Sequence, residues 1–249
     1  MSEDTGVWAY AITEDEHLAG PDGELVDLSW LTGVGEAKVR TTASCGLTVL
    51  VSDVSLAEYG EAALRANLED LDWLDEVARE HHYVIDAAAR LLPLLPVRLA
   101  TVYSGDDAVC AALTEHDGQL RDALRRVGGR VEWGVKAYAV PAGEAAQDTA
   151  AREAKTAAAS GAQAVHAELT AKAGDTRLHP TRSVRLSGVR PPMLLNAAYL
   201  LDAAGSVTFT AAVAGQAAAH PELQIELTGP WPPYSFAGPD DDEADDGGH

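Results

Sequence analysis

The sequence predicts an α+β protein of two domains, the second with the strand and helix order of a ferredoxin-like fold. Three observations carry this reading. Period-2 alternation recurs in short runs, as in Leu47 to Val51, Val131 to Ala139 and Leu223 to Thr228, which marks sheets with one buried face. Between these runs lie apolar stripes at three- and four-residue steps, the mark of amphipathic helices. Gly128-Gly129 then separates an N-terminal set of elements from a C-terminal set ordered β-α-β-β-α-β. Residues 1–128 and 129–230 are therefore expected as domains, followed by an aromatic, proline-rich and acidic segment over 231–249.

In the first domain, Val7 to Ile12 reads as a strand, followed by a Gly/Pro/Asp-rich connection at 20–24. Lys38 to Thr42 and Leu47 to Ser52 form a hairpin around Ser44-Cys45-Gly46. Ser55 caps a short helix to about Arg65. A longer helix from Leu68 to Leu92 places Leu68, Leu71, Leu74, Ala78, Ile85, Ala88 and Leu92 on one face, and Pro93 stops it. Val97 to Val102 is a further strand. Asp106 to Val127 is one amphipathic helix with Val109, Leu113, Leu120, Leu124 and Val127 aligned.

In the second domain, Val131 to Ala139 alternates, and Pro141-Ala142-Gly143 turns into an alanine-rich helix ending near Ala173. The stripe of that helix is Ala151, Ala154, Ala158, Val165 and Leu169. Val184 to Leu186 pairs with Met193 to Leu201, whose nearly unbroken apolar run marks a central strand covered on both faces. Ser206 to Ala219 is a weaker helix because of Thr208, Thr210 and Gly215. Leu223 to Thr228 closes the sheet, and Gly229-Pro230 ends it.

The net charge of −21 includes six charges from the Asp240–Asp246 run, leaving −15 (−21 plus 6) on the remainder. Such a surface repels phosphate backbones and anionic bilayers, so neither nucleic acid nor lipid membrane is expected as a partner. No stretch approaches the roughly 18 apolar residues of a membrane span. The opening MSEDTG lacks the basic-then-apolar order of a signal peptide, so a cytoplasmic location is expected. Cys45 and Cys110 have no metal spacing and read as buried small hydrophobes.

Candidate chemistry is sparse. His81 lies on the apolar stripe of its helix while His82 is turned about 100° away, so the pair does not converge on one ion. His116 likewise sits on an apolar stripe and reads as core. Gly33-Val34-Gly35 is a lone GxG that does not open a helix after a strand. Asp72, Asp75 and Glu76 read as surface carboxylates. The expectation is no catalytic residue, no cofactor and no metal. An acidic tail without calcium-loop spacing reads as disordered.

The densest signal is Leu223 to Ala237, LQIELTGPWPPYSFA, which holds three of the fourteen aromatics within six residues. Pro232-Pro233 keeps that chain extended, and aromatics on a stiff backbone lose little entropy on docking. Trp231, Tyr234 and Phe236 are therefore candidates either to lock the domains together or to grip a partner. Trp231 is the better candidate for the internal lock and Phe236 for outward contact.

LTGPWPPYSF resembles a near-C-terminal motif of the GvpF/GvpL family of gas vesicle proteins. The resemblance extends to VWAYAI (7–12), NLEDLDWLDEVAREHH (67–82), LPVRLATV (95–102), VEWGVKAY (131–138) and NAAYLL (196–201). One departure is that family members commonly read LPLRFGTV where this chain has LPVRLATV, so it lacks an aromatic and a glycine there. The resemblance implies two α+β domains, the second a modified ferredoxin-like fold with extra helices. It also implies a non-enzymatic accessory role in gas vesicle assembly, cytoplasmic before assembly and then vesicle-associated. The implied partners are the shell protein GvpA, whose aggregation it would limit during nucleation, and other gas vesicle accessory proteins. Two rival expectations are a small-molecule enzyme using His166 or His179 and a stoichiometric scaffold bridging shell and accessory proteins.

Overall fold

Trp8 and Tyr10, both without solvent exposure, sit at the centre of the first of two antiparallel sheets. The computed structural model describes residues 5–19, 24–141, 148–181 and 191–238. It divides into one unit formed by Met1–Gly129 with Pro232–His249 and a second formed by Arg130–Trp231.

The first unit runs β1 (Thr5–Glu14), β2 (Val39–Ser44), β3 (Leu47–Ser55), α1 (Leu56–Tyr59), α2 (Glu61–Asn67) and α3 (Leu71–Ala89). It continues with β4 (Leu95–Pro96), β5 (Val102–Tyr103), α4 (Asp106–Glu115) and α5 (Asp117–Val127). The sheet order is β2-β3-β1-β4, and β5 also pairs with β1. Cys45 and Gly46 form the two-residue hairpin loop with φ of 49° and 79°, the left-handed pair that matches strand twist. One sheet face buries Trp8 and Tyr10 against Val77, Val84, Ile85 and Ala88 of α3. The other presents Ala9, Ile12 and Val49 to α4 and α5.

The second unit runs β6 (Arg130–Ala139), α6 (Asp148–Thr170), β7 (Asp175–Leu178), β8 (Met193–Asp202), α7 (Ser206–Ala219) and β9 (Leu223–Trp231). Its order is β7-β8-β6-β9, all antiparallel. Trp133, Val135 and Ala137 with Ala197, Tyr199 and Leu201 pack on Ala158, Val165 and Leu169 of α6 and on Phe209 of α7. The two sheets share a strand order in which the first strand lies between the third and fourth. Their first strands also share a pattern, GVWAYA at 6–11 and GVKAYA at 134–139.

Several expectations are corrected. The long helix starts at Leu71, because the Asp70 side chain accepts from the Asp72 and Trp73 N–H groups and caps it there. Leu68 and Leu71 are consequently exposed, and the buried face is Val77, His81, Val84, Ile85 and Ala88. The helix expected over 106–127 breaks at His116 (φ −108°, ψ 15°), which is exposed rather than core. Cys45 is exposed and Cys110 half-buried, so neither fills the core. On α6 the buried series is Ala158, Ala162, Val165 and Leu169, while Ala154 is exposed. The partner of β8 is Asp175–Leu178, and residues 184–186 lie outside the described residues.

The strand expected over Val97 to Val102 is instead two short strands joined by a loop in which Ala100 has φ +62°. That is the position where the family the sequence resembles commonly carries glycine. An L residue in this region costs about 1–2 kcal/mol, partly offset by the greater unfolded freedom of glycine. Ala100→Gly is expected to raise stability by about 0.5–1 kcal/mol in urea unfolding. Destabilisation by a similar amount would contradict this account of the loop.

Candidate functional site

The aromatic segment begins inside β9. Pairing with β6 shifts register between Glu132 and Gly134, and Trp231 resumes it opposite Glu132. The strand thus continues through Gly229-Pro230, a cis peptide, rather than ending there. Gly229 makes this possible: its φ is +125°, and a Cβ would lie 2.8 Å from the Glu132 carbonyl oxygen and 3.1 Å from the Trp133 ring.

From Pro232 the chain belongs to the first unit. Pro233 (φ −77°) leads into a single 3₁₀ turn over Tyr234–Phe236. The turn is closed by Tyr234 N–H to the Pro232 carbonyl (2.8 Å) and Phe236 N–H to the Pro233 carbonyl (3.1 Å). Arg126 donates from one guanidinium nitrogen to the carbonyls of Phe236 (3.1 Å) and Gly238 (3.2 Å). The Tyr234 hydroxyl and His82 Nδ1 are hydrogen-bonded at 2.8 Å, with ring centroids 5.8 Å apart. Phe236 has no exposed surface, whereas Trp231 is 42% and Tyr234 36% exposed. This reverses the expected assignment: Phe236 is the buried anchor, and Trp231 and Tyr234 face outward in part. The expectation placed Phe236 outward because it neighbours the acidic run, but the Arg126 clamp intervenes before that run starts.

His81, beside His82, is a core residue at 4% exposure. Trp8 Nε1–H donates to His81 Nδ1 (2.9 Å), so the imidazole proton sits on Nε2 and is donated to the Val97 carbonyl (3.1 Å). Burial lowers its pKa from the usual 6.5 to about 4. The unfolded chain binds this proton below about pH 6.5 and the folded chain only near pH 4, so stability falls as pH drops through that window. The full loss is about 3 kcal/mol. Urea midpoints measured between about pH 7 and about pH 4.5 should show it, and His81→Gln should flatten that portion of the profile. An unchanged profile in His81→Gln would contradict the assignment.

The Gly33–Gly35 loop is held by the protein's own side chains. The Tyr10 hydroxyl accepts from Val34 N–H (2.8 Å) and is hydrogen-bonded to Ser52 (2.7 Å), while Glu80 accepts from Gly35 N–H (3.2 Å). Burial pushes the Tyr10 phenol up to about 12, so it stays protonated. These amides are therefore occupied rather than presented to a phosphate.

Of the histidines considered for small-molecule chemistry, His166 is tied to the core through Tyr199. His166 Nδ1 is 2.9 Å from the Tyr199 hydroxyl, and burial raises the Tyr199 pKa. His179 donates its backbone N–H to Asn196. Among the described residues, Glu14, Glu16 and His17 bring ligand-type atoms within 4.8 Å of one another, but Glu14 already pairs with Arg121 at 3.0 Å. No helix among the described residues is long and apolar enough to cross a membrane.

The family model "Gas vesicle synthesis protein GvpL/GvpF" matches residues 6–238. The chain belongs to the GvpL/GvpF family of gas vesicle proteins. It is 37% identical to gas vesicle protein L of Streptomyces sp. (strain CB03234), over 96% of this chain and 95% of that protein. It is 27% identical to gas vesicle protein F2 of Halobacterium salinarum, over 86% of this chain and 87% of that one. The crystal structure of GvpF from Anabaena sp. PCC7120 shares the fold, with TM-score 0.68 and 20% identity over 95% of this chain and 97% of that one. GvpF from Microcystis aeruginosa does so at TM-score 0.64 and 18% identity, over 94% of this chain and 99% of that one. Within this family chain, Arg126 is the residue that sequence reasoning missed. Nothing local distinguishes it from the neighbouring Arg125, and only the return of the C-terminal segment gives it carbonyls to hold.

Proposed function

We propose that this protein is an accessory factor of gas vesicle assembly that binds the hydrophobic shell protein GvpA and limits its aggregation during vesicle nucleation, without covalent chemistry. The observation that carries the reading is the family match spanning residues 6–238. A role in gas vesicle assembly follows from that family; the client and the mode of action are the proposal. The reading places the protein in the cytoplasm before assembly and on the vesicle afterwards, with other accessory proteins as further partners. The strand order β7-β8-β6-β9, with α6 and α7 in the crossovers, supports a ferredoxin-like reading of the second unit. Fold alone does not select a function.

The surface is consistent with a protein that meets an apolar client while resisting self-association. Leu25, Trp30, Leu71, Val207 and Trp231 are exposed on a chain of net charge −21. β9 lies at a sheet edge with Gln224, Glu226 and Thr228 exposed, and strand addition at such an edge suits an extended client. Apolar and main-chain contacts survive salt, whereas contacts through the acidic surface are screened. Purified shell protein should therefore remain bound across a salt series to about 0.5 M. Release over that range would overturn the apolar mode, and absence of binding at any salt would overturn the client.

A further inference from the structure

Six of the eight arginines in the first unit, Arg40, Arg65, Arg79, Arg90, Arg121 and Arg125, each pair with an aspartate or glutamate. Among the described residues Arg98 and Arg126 do not, although the chain has a net charge of −21. Both meet the same residue. Arg126 donates to the Gly238 carbonyl at 3.2 Å, and an Arg98 guanidinium nitrogen lies 3.2 Å from where a Cβ on Gly238 would stand. Gly238 is followed by Pro239 and then by the acidic run from Asp240 to Asp246. We propose that the first carboxylates of that run, Asp240 to Asp242, dock on Arg98 and Arg126 and latch the aromatic segment onto the first unit.

Charge and reach select this occupant. A guanidinium drawn partly out of water costs free energy unless an anion offsets its charge, and carbonyl oxygens carry only partial negative charge. Arg126 is half-buried, spends one terminal nitrogen on two carbonyls, and keeps a buried Nε with no acceptor among the described residues. The clamp therefore fixes the backbone of the segment and leaves the positive charge without a counter-ion. Arg98 adds a second, exposed guanidinium at the same residue. Asp240 lies two residues beyond Gly238, within about 7 Å of extended chain, so its carboxylate and those that follow reach both groups while Phe236 stays buried. A surface this negative otherwise repels the run, and the two arginines stand where it begins.

The latch makes attachment of the segment sensitive to salt. Burial of Phe236 holds it by packing that salt does not screen. Ion pairs at the exposed Arg98 are screened over about 8 Å at 0.15 M ionic strength. Each pairing has the modest strength of a surface ion pair, which sets the expected change in local opening at about two- to five-fold. This contact is independent of shell-protein binding and stands or falls separately from it.

The test is hydrogen exchange at the Phe236 and Ala237 amides of the full-length chain, at about 20 mM and about 0.5 M salt. Asp240→Asn, Asp241→Asn and Asp242→Asn together should quicken exchange about two- to five-fold at low salt and change it little at high salt. Arg98→Gln, at an exposed side chain, should act in the same direction. Combined with the three tail changes it should add little, because both remove one interaction. Neutralising three exposed carboxylates elsewhere in the first unit, by Glu69→Gln, Asp72→Asn and Glu115→Gln, should leave these amides unchanged. Unchanged exchange in the tail variant, additive effects of the tail and Arg98 changes, or an equal effect from the distant carboxylates overturns the proposal. So does an effect that depends on protein concentration, which would place the tail on a second copy.

Discussion

Trp8→Ala is expected to be the most damaging single substitution in the first unit. The indole has no solvent exposure, and its ring meets Tyr59 edge-on at 5.8 Å. Truncating such a side chain costs about 3–5 kcal/mol through lost transfer energy and the cavity left behind. The Trp8 N–H is also the donor to His81 Nδ1, so the variant leaves a buried acceptor unpaired, at about 1–3 kcal/mol more. The sum rivals the whole stability of an ordinary domain, which is about 5–15 kcal/mol. Hydrogen exchange should therefore show lost protection along β1 and β3, with β6 and β8 much less affected. Trp8→Phe keeps most of the volume and loses the donor, so it should cost clearly less. Equal losses from the two variants would contradict the role given to packing.

Phe236→Ala carries the second large effect. Its ring is fully buried at the end of the segment clamped by Arg126 and by the His82–Tyr234 hydrogen bond. Truncation removes about 3–5 kcal/mol of packing from this short segment. The expected outcome is release of the strap rather than global unfolding. Exchange should quicken at the Tyr234, Phe236 and Ala237 amides, which bond to carbonyls within the same turn. Trp231→Ala, at a side chain 42% exposed, should cost clearly less stability than Phe236→Ala. The opposite ranking would restore the assignment that sequence alone suggested.

The contrast between Trp231 and Phe236 shows where sequence reasoning stops. α7 was legible from residue pattern to within its ends, and β9 from its alternation, because both signals are local. The β2–β3 hairpin was equally legible, since Cys45-Gly46 separates two alternating runs. The alternation of strands and helices in the second unit was legible in the same way, whereas the order of strands within each sheet was not read from the sequence. What failed divides between local signals read past and contacts distant in sequence. The exposure of Leu71 follows from the Asp70 cap, and that of His116 from a helix break beside Asp117-Gly118. Strand β7 was missed because Asp-Thr-Arg-Leu lacks an apolar alternation. Its place beside β8 is set by main-chain pairing. The clamp on the aromatic segment joins residues more than a hundred positions apart, Arg126 to Phe236 and Gly238. Neither end advertises the other.

Family membership rests on the match across the chain, and the shielding of a hydrophobic subunit is the step proposed from it. Light scattering of purified shell protein diluted from denaturant, with and without an equimolar amount of this chain, tests that step most directly. The account predicts a delayed and reduced rise in scattering together with a complex that survives high salt. Scattering curves that superimpose, with no complex recovered, would contradict it.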